Sequence, residues 1–150
     1  MAQSLAKVYV HAVFVTKNRK ELIDPDIERE LYPYMATIFR KNDSPCLTIN
    51  GTGNHVHVLF VLSRKATIRN VIENVKKCSS KWIKTKGPEY RNFYWQSGSG
   101  VFSVGSSNLR VIKKYIKNQK EHHQQKTFRN EYIQLLTNYN MAYDKRYVWK

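Results

Sequence analysis

Acidic residues are scarce in this chain: 11 Asp and Glu face 26 Lys and Arg across 150 residues, a net charge of +15 with a pI near 9.9. A compact fold carrying that excess repels itself, so a polyanionic partner is the natural counterpart. Cysteine is scarcer still. Cys46 and Cys78 lack the paired spacing of a zinc ribbon and the density of a disulfide scaffold, and they fit free thiols in a reducing cytoplasm. No apolar run approaches the ~20 residues that a membrane-spanning helix needs. Residues 1–7 lack the charged-then-apolar order of a secretory signal. The expectation is a cytoplasmic protein with no membrane partner, residues 1–150 forming one domain able to bury a core without staples.

The basic residues are not gathered in one tail. They recur at Lys17, Arg19 and Lys20; at Lys76, Lys77, Lys81, Lys84 and Lys86; and at Arg110, Lys113, Lys114, Lys117 and Lys120. Any one of them reads as a solvated helix face. Together they favour nucleic acid over a lipid surface, because no basic stretch carries a broad membrane-inserting apolar face.

Residues 5–16 (LAKVYVHAVFVT) are β-branched and aromatic and read as a buried strand. Asp24-Pro25 has the form of an N-cap with proline at the first helical position. Ile27, Leu31, Met35, Ile38 and Phe39 then give helical periodicity to about residue 40, with a kink expected at Pro33. Strands at 46–50 and 54–62 form a hairpin across a tight turn at Gly51-Thr52-Gly53. Thr67 caps a helix whose stripe is Ile68, Val71, Ile72, Val75 and Trp82. A fourth strand at 100–104 precedes a helix near 107–122, and residues 127–150 hold a short helix around Glu131 to Leu136 and an aromatic tail. The order β-α-β-β-α-β predicts an α+β ferredoxin-like or RRM-like fold with an antiparallel sheet and additional C-terminal helices. Helices should cover one sheet face and leave the other open to a ligand.

Two segments carry residues suited to chemistry. On a strand, His55 and His57 project from the same face, their α-carbons ~6.7 Å apart, close enough for both imidazoles to reach one metal ion. By itself His-x-His reads equally well as two half-buried polar residues. His11, on the first strand, is a possible neighbour whose simpler role is packing. In the helix near 107–122, Leu109, Ile112 and Ile116 form a core-facing stripe. Val111, Tyr115, Gln119 and His122 or His123 form an adjacent one, with Tyr115 and Gln119 a turn apart. With ten tyrosines in the chain, Tyr115 gains meaning only beside the histidine pair.

Taken jointly, these stretches resemble the HUH-endonuclease superfamily, in particular the small single-tyrosine, IS200-like insertion-sequence transposases that act on single-stranded DNA. HAVFVTKNRKELI (11–23) is similar to that family's first strand and basic loop, GNHVHVLF (53–60) to its histidine strand, and VKKCSSKWI (75–83) to its second helix. WQSGSGVFSVGSSN with VIKKYIKNQKEHH (95–123) resembles its tyrosine segment, and FRNEYIQLL and YDKRYVW its tail. Ser99 departs from the pattern, standing where many relatives carry an aromatic residue between two glycines.

The resemblance implies that Tyr115 is the nucleophile, that His55, His57 and Gln119 hold Mg²⁺ or Mn²⁺, and that single-stranded DNA is cut and rejoined through a 5′-phosphotyrosine intermediate. Two imidazoles and an amide oxygen suit Mn²⁺ better than Mg²⁺ and also admit Zn²⁺. It further implies homodimers with composite sites in trans and hairpin-bearing element ends as substrate. Eight of the twelve residues 97–108 are Gly or Ser, which suits a swinging tyrosine helix or a plain loop. Lys17, Arg19, Lys20, Arg110, Lys113, Lys114 and Lys117 are the candidate DNA contacts. The alternatives are a non-catalytic RRM-like single-strand binder and a domesticated HUH nuclease acting on palindromic repeats.

Overall fold

The computed structural model describes residues 5–146 and 148–149. Four strands, β1 (Tyr9–Val15), β2 (Cys46–Thr52), β3 (His55–Val61) and β4 (Gly100–Val104), form one antiparallel sheet in the order β2-β3-β1-β4. α1 (Pro25–Lys41) joins β1 to β2, and α2 (Ile68–Ile83) joins β3 to β4. This is the expected β-α-β-β-α-β order. α3 (Leu109–Lys117), α4 (Gln119–His122) and α5 (Phe128–Asn138) follow.

Local chemistry sets the helix starts. Asp24 accepts a hydrogen bond from the Ile27 amide at 2.8 Å and Thr67 one from the Asn70 amide at 3.1 Å. Thr127 does the same for α5, accepting from the Asn130 amide at 3.2 Å. α1 runs through Pro33 as one helix of 17 residues. The β2–β3 turn falls at Gly53-Asn54, one step later than the sequence suggested, because Gly51 belongs to β2 and pairs with Val56. Gly51 serves close approach instead of turning: a Cβ there would lie 2.0 Å from the His55 carbonyl oxygen.

Alternation along the strands divides the sheet. Val10, Ala12 and Phe14 with Val56, Val58 and Phe60 face α1 and α2, where they meet Leu31, Met35, Phe39, Val71 and Val75 in the main core. The opposite face is not open. Val13, Val15 and Phe102 pack under Phe128, Tyr132, Leu135 and Leu136 of α5, and Leu59 and Val104 pack under Ile116 of α3. An RRM-like open face was the wrong expectation because the C-terminal helices present apolar stripes that must also be buried. Gly100 admits this cover: a Cβ would come within 2.8 Å of the Tyr132 ring. Part of the Gly/Ser-rich stretch is thus β4 itself, paired with β1. Among the described residues no helix is long and apolar enough to cross a membrane.

Phe39 is fully buried, with its ring centroid 4.8 Å from that of Phe60 and 6.4 Å from that of Phe14. Phe39→Ala should therefore cost about 3–5 kcal/mol, seen in urea unfolding as a lower midpoint at unchanged slope.

Candidate functional site

His55 and His57 project from β3 onto the covered face, both fully buried. α3 carries Tyr115 over them, its ring centroid 5.6 Å from that of His57 and 6.2 Å from that of His11. Leu109, Ile112 and Ile116 anchor α3 through the apolar stripe expected for them. The predicted helix near 107–122 is not continuous: it breaks at Asn118 (φ −93°, ψ 15°), and Gln119 opens the separate α4. Gln119 nevertheless reaches the site, its side-chain oxygen 3.1 Å from His55 Nε2. Val111, expected on the same stripe, is 64% exposed.

Two further residues complete the cluster. Glu131, in the first turn of α5 and 2% exposed, places Oε1 3.0 Å from His57 Nε2, 3.0 Å from His123 Nε2 and 3.5 Å from His55 Nε2. Its Oε2 accepts hydrogen bonds from the Tyr115 hydroxyl and, at 2.9 Å, from Gln119 Nε2. Glu131 was expected only as a helix residue. Its signal was there to read, since it stands between Phe128, Tyr132 and Leu135 on the buried stripe of an amphipathic helix, where a lone carboxylate needs partners. Of the two candidates at the end of the α4 segment, His123 joins the cluster. His122 lies beside it, Nε2 3.6 Å from Glu131 Oε2.

The hydrogens in this cluster do not suffice for its acceptors. His55 Nδ1 lies 2.7 Å from Asn54 Oδ1, which can only accept, so Nδ1 donates and Nε2 of the neutral ring is a bare lone pair. His123 Nδ1 donates to the Lys126 carbonyl at 2.8 Å, leaving its Nε2 in the same condition. Gln119 spends its amide hydrogens toward Glu131, so its oxygen faces both lone pairs, 3.1 Å from His55 Nε2 and 3.1 Å from His123 Nε2. Among the described residues, His55, His57, His123 and Glu131 form a group whose ligand atoms all lie within 4.8 Å of one another. Converging lone pairs of nitrogen and oxygen fit a divalent cation, with Asn54, Thr52 and Lys126 orienting the rings from behind.

Burial holds His55 neutral, its pKa lowered to about 3 chiefly by desolvation and then by the neighbouring His57, against an upward pull from Glu131. Its approach to Glu131 is therefore not an ion pair. His11 is likewise lowered to about 3, by burial and by His57. For Glu131 burial opposes ionisation, but the His123 and His57 imidazoles and the Tyr115 hydroxyl that face it hold it well below the carboxylate range. The Tyr115 phenol is pushed well above its usual value by burial and by the Glu131 carboxylate.

The candidate DNA contacts fall in two places. Lys17 and Arg19 lie in the 3-10 turn after β1, followed by the exposed Lys20. Arg110, Lys114 and Lys117 are exposed on α3, and Lys113 is half-buried there. A cavity of about 480 Å³ is lined in part by His123, and another of about 460 Å³ in part by Tyr115.

A sequence model of the family described as "Transposase IS200 like" matches residues 4–119. No curated protein matches the chain. Among solved structures, a protein of Deinococcus radiodurans R1 described as a transposase aligns at a TM-score of 0.62 and 20% identity, covering 79% of this chain and 98% of its own. A REP-associated tyrosine transposase bound to a REP hairpin aligns at a TM-score of 0.61 and 13% identity, covering 82% and 73% respectively. At those identities the likeness is one of fold.

The cluster predicts a pH response in metal-free protein. His11 and His55 stay neutral in the fold down to about pH 3, whereas the unfolded chain protonates them below about 6.5. Unfolded protein thus binds more protons in that window, so stability is complete above it and falls as pH drops through it. Thermal unfolding in a chelator should show Tm declining from about pH 6.5 toward about pH 3, and a flat profile would mean that the imidazoles charge within the fold. At neutral pH, Mn²⁺ should raise Tm by an amount that grows with its concentration, and His123→Ala should diminish the rise.

Proposed function

The chain belongs to the family of IS200-like transposases, and on that premise we propose that it cuts and rejoins single-stranded DNA with Tyr115 as the nucleophile. The observation that carries this reading is the shared carboxylate: one oxygen of Glu131 faces the imidazole cluster and the other holds the Tyr115 hydroxyl. A phenol and a candidate cation-binding group thereby share one carboxylate, which supports attack on a phosphodiester.

In the first step the Tyr115 oxygen forms a bond to phosphorus, and the bond from phosphorus to the DNA 3′-oxygen breaks. The phenol gives up its proton and the leaving 3′-oxygen gains one from solvent, giving a 5′-phosphotyrosine link and a free 3′-hydroxyl with no net change in protons. A second 3′-hydroxyl attacks the link, restores a phosphodiester and releases the phenol. The phosphoester bond is exchanged and not hydrolysed, so the strand can be joined elsewhere. Glu131 accepts the phenolic hydrogen bond, which directs that proton away from the attacking lone pair. His55, His57 and Gln119, with His123 and Glu131, would hold the cation, which when bound polarises the scissile phosphate and offsets its charge. The family resemblance gives Mg²⁺ or Mn²⁺, and a donor set with three imidazoles favours Mn²⁺.

Lys17, Arg19 and Lys20 at one edge, with Arg110, Lys113, Lys114 and Lys117 on α3, would neutralise the phosphates leading to the site. The REP hairpin bound by one structural neighbour supports hairpin-bearing DNA as substrate. The homodimer with exchanged tyrosine helices belongs to the same proposal, with Ser106–Asn108 as the segment that would carry α3 to a second copy. Processing of dispersed palindromes by a domesticated enzyme would use the same chemistry. A purely RRM-like binder loses its support, because the sheet face it would use is covered.

Incubating the protein with single-stranded DNA from the flanks of its own gene and Mn²⁺ should give a denaturant-resistant protein–DNA adduct. Tyr115→Phe should abolish the adduct and leave retention of the DNA on native gels largely intact; an adduct that persists would identify another nucleophile. Gln119→Ala should slow adduct formation by about 10- to 100-fold, the range for loss of a group that orients or tunes a metal site.

A further inference from the structure

His11 is fully buried on β1, directly beside the cluster, yet it touches neither Glu131 nor Gln119 through a hydrogen bond. Its one hydrogen bond joins His11 Nε2 to His57 Nδ1 at 2.8 Å. The other ring nitrogen, His11 Nδ1, is buried with no partner. A histidine placed only for packing would be better as Phe, which fills the same space without a buried polar orphan.

We propose that His11 is a positioning residue for cation binding: its Nε2 can accept the Nδ1 proton of His57, which gives His57 a tautomer in which Nε2 is free to ligate. This rests on the cation-site reading above. The need for it follows from how the three imidazoles are held. His55 Nδ1 has Asn54 Oδ1 behind it and His123 Nδ1 has the Lys126 carbonyl, both oxygens that can only accept. Each of those rings is committed to presenting Nε2. His57 has no such oxygen at Nδ1; its partner is another imidazole, which can donate or accept.

Two tautomeric pairs satisfy that contact. In one, His11 Nε2–H donates to His57 Nδ1, and His57 Nε2–H donates to Glu131 Oε1 at 3.0 Å, which blocks the nitrogen. In the other, His57 Nδ1–H donates to His11 Nε2, the hydrogen of His11 sits on its Nδ1, and His57 Nε2 is bare. Each pair carries one hydrogen per ring, so the change needs no net proton. The second pair leaves a buried N–H unpaired on His11, which explains why the ligating tautomer is favoured only when a cation occupies Nε2. Loading of the site is thereby coupled to the tautomer of His11.

Two measurements on the full chain test this. In the first, Mn²⁺ binding is followed by calorimetry, with thermal unfolding of the metal-free protein run in parallel. His11→Phe should weaken Mn²⁺ binding by about 10- to 100-fold without lowering the metal-free Tm, and His11→Gln, whose carbonyl oxygen can accept, should recover most of the loss. Wild-type affinity in His11→Phe would overturn the proposal. In the second, which needs no variant, wild-type protein with ¹⁵N-labelled histidine is loaded with diamagnetic Mg²⁺ or Zn²⁺. His57 should then carry its proton on Nδ1, and a proton on Nε2 in the loaded protein would equally overturn the proposal. Wild-type protein that folds but binds none of these ions would sink the cation-site reading itself, a result distinct from a loaded site indifferent to His11.

Discussion

The burial of one ionised carboxylate organises the C-terminal half of this molecule. Removing a carboxylate from water costs several kcal/mol unless hydrogen-bond donors replace the solvent. Glu131 is 2% exposed, and its polar partners come from separate elements: His57 from β3, Tyr115 from α3, Gln119 from α4 and His123 just beyond it. Each contact fixes an element whose apolar anchoring alone would leave some freedom to slide. On α3, for example, only Ile116 is fully buried. The polar cluster is closed at one end by Leu59, Val104 and Ile116 and at the other by Val13, Val15, Phe128 and Tyr132. Those walls lower the local dielectric, which strengthens every contact to the carboxylate and makes any unsatisfied atom expensive.

The main apolar core and the polar cluster lie on opposite faces of one sheet. On β1 and β3 the residues facing α1 and α2 are apolar, while the other face of β3 alternates His55, His57 and Leu59. The pleat enforces the division: a one-residue register slip in β3 would send both imidazoles into the apolar core and Val56 and Val58 into the site. Pairing with β1 on one side and β2 on the other holds that register, and Gly51 permits the close approach at the end where His55 sits.

The parts of this arrangement set by short-range periodicity were legible in the sequence. A period of two put His55 and His57 on one face, and helical spacing put Tyr115 near Gln119 even though the helix breaks between them at Asn118. Caps at Asp24 and Thr67 were readable for the same reason, each being decided within four residues. What was not legible depended on tertiary packing. The covered face follows from α3 and α5 folding back over the sheet. Glu131 lies 74 residues from His57 in sequence. His11 was read as packing because its partner is 46 residues away, and nothing local reveals an imidazole–imidazole contact. The hairpin turn was displaced because Gly51 looked like a turn glycine, whereas the constraint on it is steric and comes from the neighbouring strand.

The break at Asn118 has a role in the proposed chemistry that an unbroken helix would not allow. In the proposed reaction the phenol, which donates to Glu131 in this conformation, would have to shift with the DNA end once that end is joined to it. In a continuous helix that shift would drag Gln119 and His123 with it. Here α4 is tied separately: Lys120 reaches Glu28 at 2.7 Å and Asn50 at 2.9 Å, while Asn50 also donates to the Lys117 carbonyl at 3.0 Å. These bonds pin the joint to β2, with Tyr115 on one side and Gln119 and His123 on the other. α3 can then pivot about its C-terminal end, led by the turn at Ser106–Asn108, while the imidazole and amide donors keep their places. In the proposed reaction strand exchange would need this separation, because the phosphotyrosine would hold one DNA end while the site accepts another.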